Sequence, residues 1–248
     1  MALMAPAASF GQDAKEPHEL RPLNAIEVEP IGDFGKIDTR LTTDLMKRLI
    51  SSDRSTKTKA IDQVKASPGK VAPPALYSMS NEMFRLDQKD EALFWFYLGQ
   101  LRARSDANKT NDVSARQAVG VLNSQYGPLI NQYAFRNTKV NYKKALADIK
   151  SLATKVVDWD RKHPREYDPR WISLHGMGAF LDNKVEFEPK ERWEKINEQT
   201  RINYLKDLDE SAAMFRDMDA NNDGGITKDE TNAYGRREMT KANAKQRK

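Results

Sequence analysis

Residues Ala92-Leu-Phe-Trp-Phe-Tyr-Leu98, with Leu101 beyond them, form a run so apolar that as a helix it must be buried on most sides. Read as a helix it has no polar stripe, and a helix that is apolar all round has to be enclosed by neighbours. Just before it, Leu76, Met79, Met83, Phe84 and Leu86 recur at helical spacing. The polar residues Asp87-Gln-Lys-Asp90 join the two segments with a turn short enough for an αα-hairpin. The expected fold is therefore mostly α, built around this pair, with under about 10% strand where an average domain has about 20–25%.

The rest of the chain supplies helices to do the enclosing. Thr42 or Thr43 can cap a helix carrying Leu45, Met46, Leu49 and Ile50, and a second piece carries Ala60, Ile61 and Val64 and stops at Ser67-Pro-Gly69. Lys70-Val-Ala-Pro-Pro74 reads as a linker, because proline disfavours helix and stiffens the chain. A further helix opens at Asp112 or Ser114 and ends at Tyr126-Gly-Pro128. Another spans 139–160, with Tyr142, Leu146, Ile149, Val156 and Val157 on its apolar face, and His163-Pro164 stops it. Pro189 suits the first position of a long helix containing Trp193, Ile196, Tyr204, Leu208 and Phe215. The expected organisation is a leader remnant over 1–12, an extended arm over 13–38, and a helical domain over 39–185. A long helix with its helix–loop–helix follows over 186–241, and a basic tail over 242–248.

Composition narrows the chemistry. Hydrophobic residues make up 39% of the 248 positions, enough for a packed core, yet no apolar run approaches the roughly 18–20 residues of a membrane helix. There is no cysteine, so disulfides, cysteine-ligated zinc and iron–sulfur sites are excluded. The net charge of +5 is only mildly basic, and much of the excess lies in the last eight residues. No basic face interleaved with aromatic residues is evident, so no nucleic-acid partner is expected. Met1-Ala-Leu-Met-Ala-Pro-Ala-Ala-Ser-Phe-Gly-Gln12 reads as the back half of a secretory signal peptide, with small residues suited to cleavage near 8–12. The expected location is the periplasm or another exported compartment.

Asp219-Ala-Asn-Asn-Asp-Gly-Gly-Ile-Thr-Lys-Asp-Glu230 is the one strong chemical motif. Asp219, Asn221 and Asp223 fall at positions 1, 3 and 5 of a twelve-residue loop. Gly224 lies at 6, the Gly225 carbonyl at 7, Ile226 at 8, Thr227 at 9 and Glu230 at 12. Ca²⁺ takes six to eight oxygens at about 2.3–2.6 Å, which requires a reversing loop with alternate side chains turned inward. The stretch resembles the EF-hand family, with Met214, Phe215 and Met218 as the apolar face of the incoming helix. The resemblance implies a Ca²⁺ site formed by Asp219, Asn221, Asp223, Gly225, Thr227 and Glu230. Only one good loop is evident, where calcium sensors usually pair two. Asp33-Phe-Gly-Lys-Ile-Asp38 lacks the ligand spacing of a partner loop.

Residues 75–104, through Ala75-Leu-Tyr77, Asp90-Glu-Ala92 and Trp95-Phe96, are similar to one unit of a tetratricopeptide-like repeat, without further copies at a constant period. Residues 77–106, with Arg102 and Arg104, and 171–180 more faintly resemble periplasmic immunity proteins that block antibacterial toxins. Stacked helix pairs offer extended binding surfaces. The expected function is an exported, non-catalytic, Ca²⁺-binding helical protein whose partner is another protein, a secreted toxin if the faint resemblance holds, with Ca²⁺ chiefly structural. The competing expectation is a periplasmic hydrolase using His175 and an acidic partner. His175-Gly-Met-Gly178 resembles a lipase oxyanion loop, but no Gly-x-Ser-x-Gly elbow accompanies it.

Overall fold

The computed structural model describes residues 30–136, 138–181 and 183–246; the leader over 1–12, most of the arm and the last two residues lie outside the described residues. The described residues are all-α. Helix α1 spans Arg40–Leu49, α2 Arg54–Ala66, α3 Pro73–Arg85, α4 Lys89–Ala107, α5 Gln117–Ala134, α6 Thr138–Lys162, α7 Gly178–Leu181, α8 Lys190–Met218 and α9 Lys228–Gln246. Short 3-10 turns stand at Phe34–Lys36, Ser114–Arg116 and Pro169–His175. The one extended pairing among these residues is an isolated bridge between Thr110 and Phe187. Among the described residues no helix is long and apolar enough to cross a membrane.

The described residues divide into a larger unit, 30–134 with 149–205, and a smaller one, 135–148 with 206–246; one division falls at the end of α5 and the other two inside α6 and α8. The hairpin α3–α4 is the most extensive helix pairing in the larger unit. Gly99 lets the two helices close up: a Cβ there would stand 3.1 Å from the Tyr77 ring and 3.3 Å from Leu76. Tyr77 meets Phe96 edge to face at 5.1 Å between centroids, and Leu76, Met79, Met83, Leu98 and Leu101 are fully buried with them. Trp95 sits nearer the edge, its Nε1 donating to Glu91 Oε1 at 3.2 Å and its ring packed on Phe94 and Trp159.

Four boundaries differ from those expected: Thr42 and Thr43 lie inside α1, which begins after Thr39, and three others differ for local physical reasons. Lys70-Val-Ala-Pro-Pro74 is not a linker: Val71, Ala72, Pro73 and Pro74 are buried, and Pro73 opens α3. The first helical position needs no N–H, and proline's fixed φ suits it. Helix α5 does not stop at Gly127-Pro128 but runs through to Ala134. Its buried Ala118, Leu122, Tyr126 and Ile130 continue one apolar face past the proline, so packing outweighs a lost backbone bond. The α3–α4 turn is also tighter than expected, with Asp87 alone taking a left-handed φ of 64°. Within the arm, Phe34 and Ile37 are buried, and residues 242–246 of the basic tail are the end of α9.

A buried ionic cluster ties the larger unit together. Asp160, at the end of α6, accepts from Arg102 Nε at 2.7 Å, Arg165 Nη2 at 2.6 Å and Arg201 Nε at 2.9 Å. Arg102 also donates to the carbonyls of Pro68 and His163, binding the loops before α3 and after α6. Alongside it, Asp106 accepts from Lys109 Nζ, Tyr167 Oη and Trp171 Nε1 at 2.8–2.9 Å. Burial works to raise the Asp160 carboxyl, but Arg165 and Arg102 outweigh it and hold the group well below the usual carboxylate range.

Two outcomes follow. Removing one partner of a buried charge group leaves the others uncompensated, so Asp160→Asn is expected to lower unfolding stability by about 3–5 kcal/mol in denaturant titration. Because the folded pKa of Asp160 is depressed, its contribution is complete above the unfolded carboxyl's pKa of about 3.9 and is lost as pH falls from there through the folded value. Urea midpoints should therefore drop below about pH 4 more steeply in the wild type than in Asp160→Asn.

Candidate functional site

The 219–230 loop joins α8 to α9 and is wound around one carboxylate. Asp219, buried at 7% exposure, accepts the N–H of Asp223 on Oδ1 at 3.1 Å and the N–H of Gly224 on Oδ2 at 3.2 Å. Asn221 Oδ1 takes the same Asp223 N–H at 3.0 Å, and Asp223 Oδ1 takes the Gly225 N–H at 2.7 Å. The reversal needs left-handed backbone at Asn222 (φ 56°) and Gly224 (φ 85°), conformations that asparagine and glycine tolerate best.

Glu230 spans the two ends of the loop. Its Oε2 accepts the N–H of Thr227 at 2.9 Å while Thr227 Oγ1 accepts the N–H of Glu230 at 3.2 Å, a reciprocal cap on α9. Its Oε1 reaches back to the N–H of Ala220 at 3.1 Å. The Thr227 N–H and hydroxyl hold the Glu230 carboxyl below its ordinary value. Asp219, Asp223 and Glu230 thus each hold backbone N–H groups, and among the described residues no three acidic or histidine side chains form a metal-ligating cluster.

A different element supports the loop. Asn141 interrupts α6 with a φ of −154° and caps the resumed helix, its Oδ1 accepting from the Lys144 N–H at 2.9 Å. The neighbouring Tyr142 N–H is thereby free to donate to the Gly224 carbonyl at 2.9 Å. Below this contact Tyr142, Leu146 and Phe215 form a small core, with Phe135, Ala212, Met214 and Ile226 around it. Phe215 stacks on both Tyr142 (6.1 Å) and Phe135 (6.5 Å). Burial first, then the Asp219 carboxylate against it, raises the Tyr142 phenol above its ordinary value, although the buried hydroxyl makes no well-formed hydrogen bond among the described residues.

On that last observation the residues fit an oxygen-seeking cation. A buried hydroxyl set against Asp219 without a well-formed hydrogen bond leaves the floor of the loop under-satisfied, and the donor set above it is all oxygen. An unsatisfied buried hydroxyl costs about 1–3 kcal/mol, so in chelator Tyr142→Phe is expected to match or exceed wild-type thermal stability. A melting temperature several degrees lower would show the hydroxyl to be satisfied.

The glycine turn at 175–178 is occupied by structural bonds. The Met177 N–H donates to Ser114 Oγ at 2.7 Å and the Gly178 N–H to Asp112 Oδ2 at 3.1 Å. His175 is exposed, its ring edge-on to the buried Trp171 at 5.7 Å, and no carboxylate among the described residues hydrogen-bonds it. These bonds seat α7 beside Val113, and together Val113, Met177, Phe180 and Leu181 present 57–74% of their surfaces to solvent. Ile31 is likewise exposed, two residues from Asp33, whose N–H donates to the Asn183 carbonyl. The sequence signal for this patch is faint, because its residues lie far apart along the chain.

No protein-family model matches the chain, and no curated protein or solved structure is significantly similar to it.

Proposed function

We propose that this chain is an exported, calcium-binding helical protein that acts by binding another protein, with Ca²⁺ holding its C-terminal helix–loop–helix in shape. The winding of the 219–230 loop around the Asp219 carboxylate carries the calcium reading. The side chains of Asp219, Asn221, Asp223, Thr227 and Glu230 and the Gly225 carbonyl would hold the ion. Bound Ca²⁺ supplies positive charge to three carboxylates that otherwise repel one another. Because Asp219 follows α8 and Glu230 lies in the first turn of α9, the same shell would fasten the two helices.

The protein-binding part is supported by the exposed patch of Val113, Met177, Phe180 and Leu181, since contiguous exposed apolar surface is characteristic of interaction sites. Export rests on the sequence of residues 1–12. A secreted antibacterial toxin as the partner rests on the faint resemblance of 77–106 and 171–180.

The test is calorimetric titration of chelator-stripped protein with Ca²⁺. A single loop with three carboxylates is expected to bind in the micromolar to sub-millimolar range, about 10⁻⁶–10⁻³ M. Glu230→Gln keeps the shape but removes charge and a bidentate donor, so it should weaken binding at least tenfold, about 1.4 kcal/mol. Absence of binding heat in both proteins, with identical melting curves in chelator and in excess Ca²⁺, would leave the loop a polar turn.

A further inference from the structure

A cavity of about 350 Å³ in the larger unit is lined by buried cations that outnumber the buried anions beside them. Lys109, Arg165 and Arg201 line it, and Arg102 shares Asp160 with the two arginines. These four cationic side chains are 0–8% exposed; the buried carboxylates among them are Asp106 and Asp160. Glu194 and Glu198 accept from Arg201 Nη1 at 2.7 and 3.1 Å, but their side chains are 75% and 40% exposed, where water screens them. The dry part of the cluster therefore carries two positive charges in excess, which is costly unless an anion compensates them.

Donor capacity is left over on the same groups. An ammonium has three N–H donors, and Lys109 Nζ gives a hydrogen bond to Asp106 Oδ1 as its one partner among the described residues. Arg201 Nη2 donates to no protein atom among them. Burial pulls the Lys109 ammonium below its ordinary pKa, with Asp106 opposing and Arg165 adding to the shift, as expected of a cation short of counter-charge. The wall is not purely polar. Trp193 lines the cavity with its ring centroid 5.9 Å from Lys109 Nζ, and its Nε1 is committed to the Glu188 carbonyl, so the ring offers its apolar surface. Pro164 and Pro169 add further apolar lining.

The volume lies within the range of small-molecule sites, about 300–1,000 Å³, and mixes apolar walls with a few convergent polar groups. A second cavity, lined by Arg54, Lys57 and Arg85, shows the contrast: Lys57 there is paired with the buried Glu82, and Arg54 is exposed.

We propose that the cavity between Lys109, Arg165, Arg201 and Trp193 binds a small organic oxyanion, a carboxylate or phosphate group carried on a planar or apolar body. Lys109 is the principal counter-charge, Arg165 and Arg201 add to the field, and the body of the ligand lies against Trp193. This site is separate from the calcium loop and does not depend on that reading.

Calorimetry in metal-free buffer, at ionic strength held constant with chloride, tests it with benzoate, phenyl phosphate and inorganic phosphate as probes. Saturable binding of benzoate or phenyl phosphate is expected, at least tenfold tighter than inorganic phosphate. Lys109→Gln should weaken it tenfold or more, and Arg54→Gln in the other cavity should leave it unchanged. Trp193→Ser, at a half-buried position, should weaken the aromatic probes without affecting inorganic phosphate, and serves as the test if Lys109→Gln does not fold. No saturable binding by any probe, or undiminished binding by a folded Lys109→Gln, overturns the proposal. Equal affinity for phenyl phosphate and inorganic phosphate overturns the organic ligand.

Discussion

The larger unit depends on a carboxylate that no apolar pattern announces. Asp160 receives three guanidinium groups, from Arg102 on α4, Arg165 in the segment after α6 and Arg201 on α8. Each would be expensive to bury alone, and one acceptor shared by three donors is tolerable only because several of their other N–H groups find oxygens elsewhere. Arg102 reaches two backbone carbonyls, Arg165 reaches Asn197, and Arg201 reaches Glu194 and Glu198. These contacts fix where α4, the end of α6 and the start of α8 stand relative to one another, and the candidate oxyanion cavity lies among them.

The helices themselves were legible in the sequence because their information is periodic. Leu76, Met79 and Met83 and the apolar run through Leu101 specify an enclosed hairpin, and the structure places these residues in the core except Leu93 and Phe94, which are half-buried. Two of the boundaries that differ share a cause, because proline reads from sequence alone as a helix end. Pro73 begins a helix and Pro128 is carried inside one, in each case because neighbouring residues are buried on a continuing face. The ionic cluster was hidden for a different reason. Arg102, Asp160 and Arg201 are separated by 58 and 41 positions, and a charged residue in a helix ordinarily reads as a solvated face. Lys109 just past α4 and Trp193 early in α8 gave no sign that they share a cavity.

The calcium-type loop stands between these cases. Its residue spacing could be read directly, since each position of such a loop is set by local geometry. Asp219 does gather the Asp223 and Gly224 N–H groups, and Gly224 does take the left-handed turn. What spacing could not convey is the support from Asn141, whose break in α6 releases the Tyr142 N–H toward Gly224. A single loop thus has a backbone partner, though not a second loop of its own kind. The Tyr142 hydroxyl, buried against Asp219 without a well-formed hydrogen bond among the described residues, marks the same junction.

The proposed calcium dependence concerns the loop and the helices flanking it, because the larger unit is held by its own core and its own buried charges. Amide hydrogen exchange of the full chain, compared in chelator and in saturating Ca²⁺, addresses it most directly. Ca²⁺ is expected to slow exchange across residues 206–246 and around Tyr142, while amides of α3 and α4 exchange at the same rate in both conditions. Equal exchange everywhere, or protection that rises as much in α3 and α4 as in the loop, would contradict it.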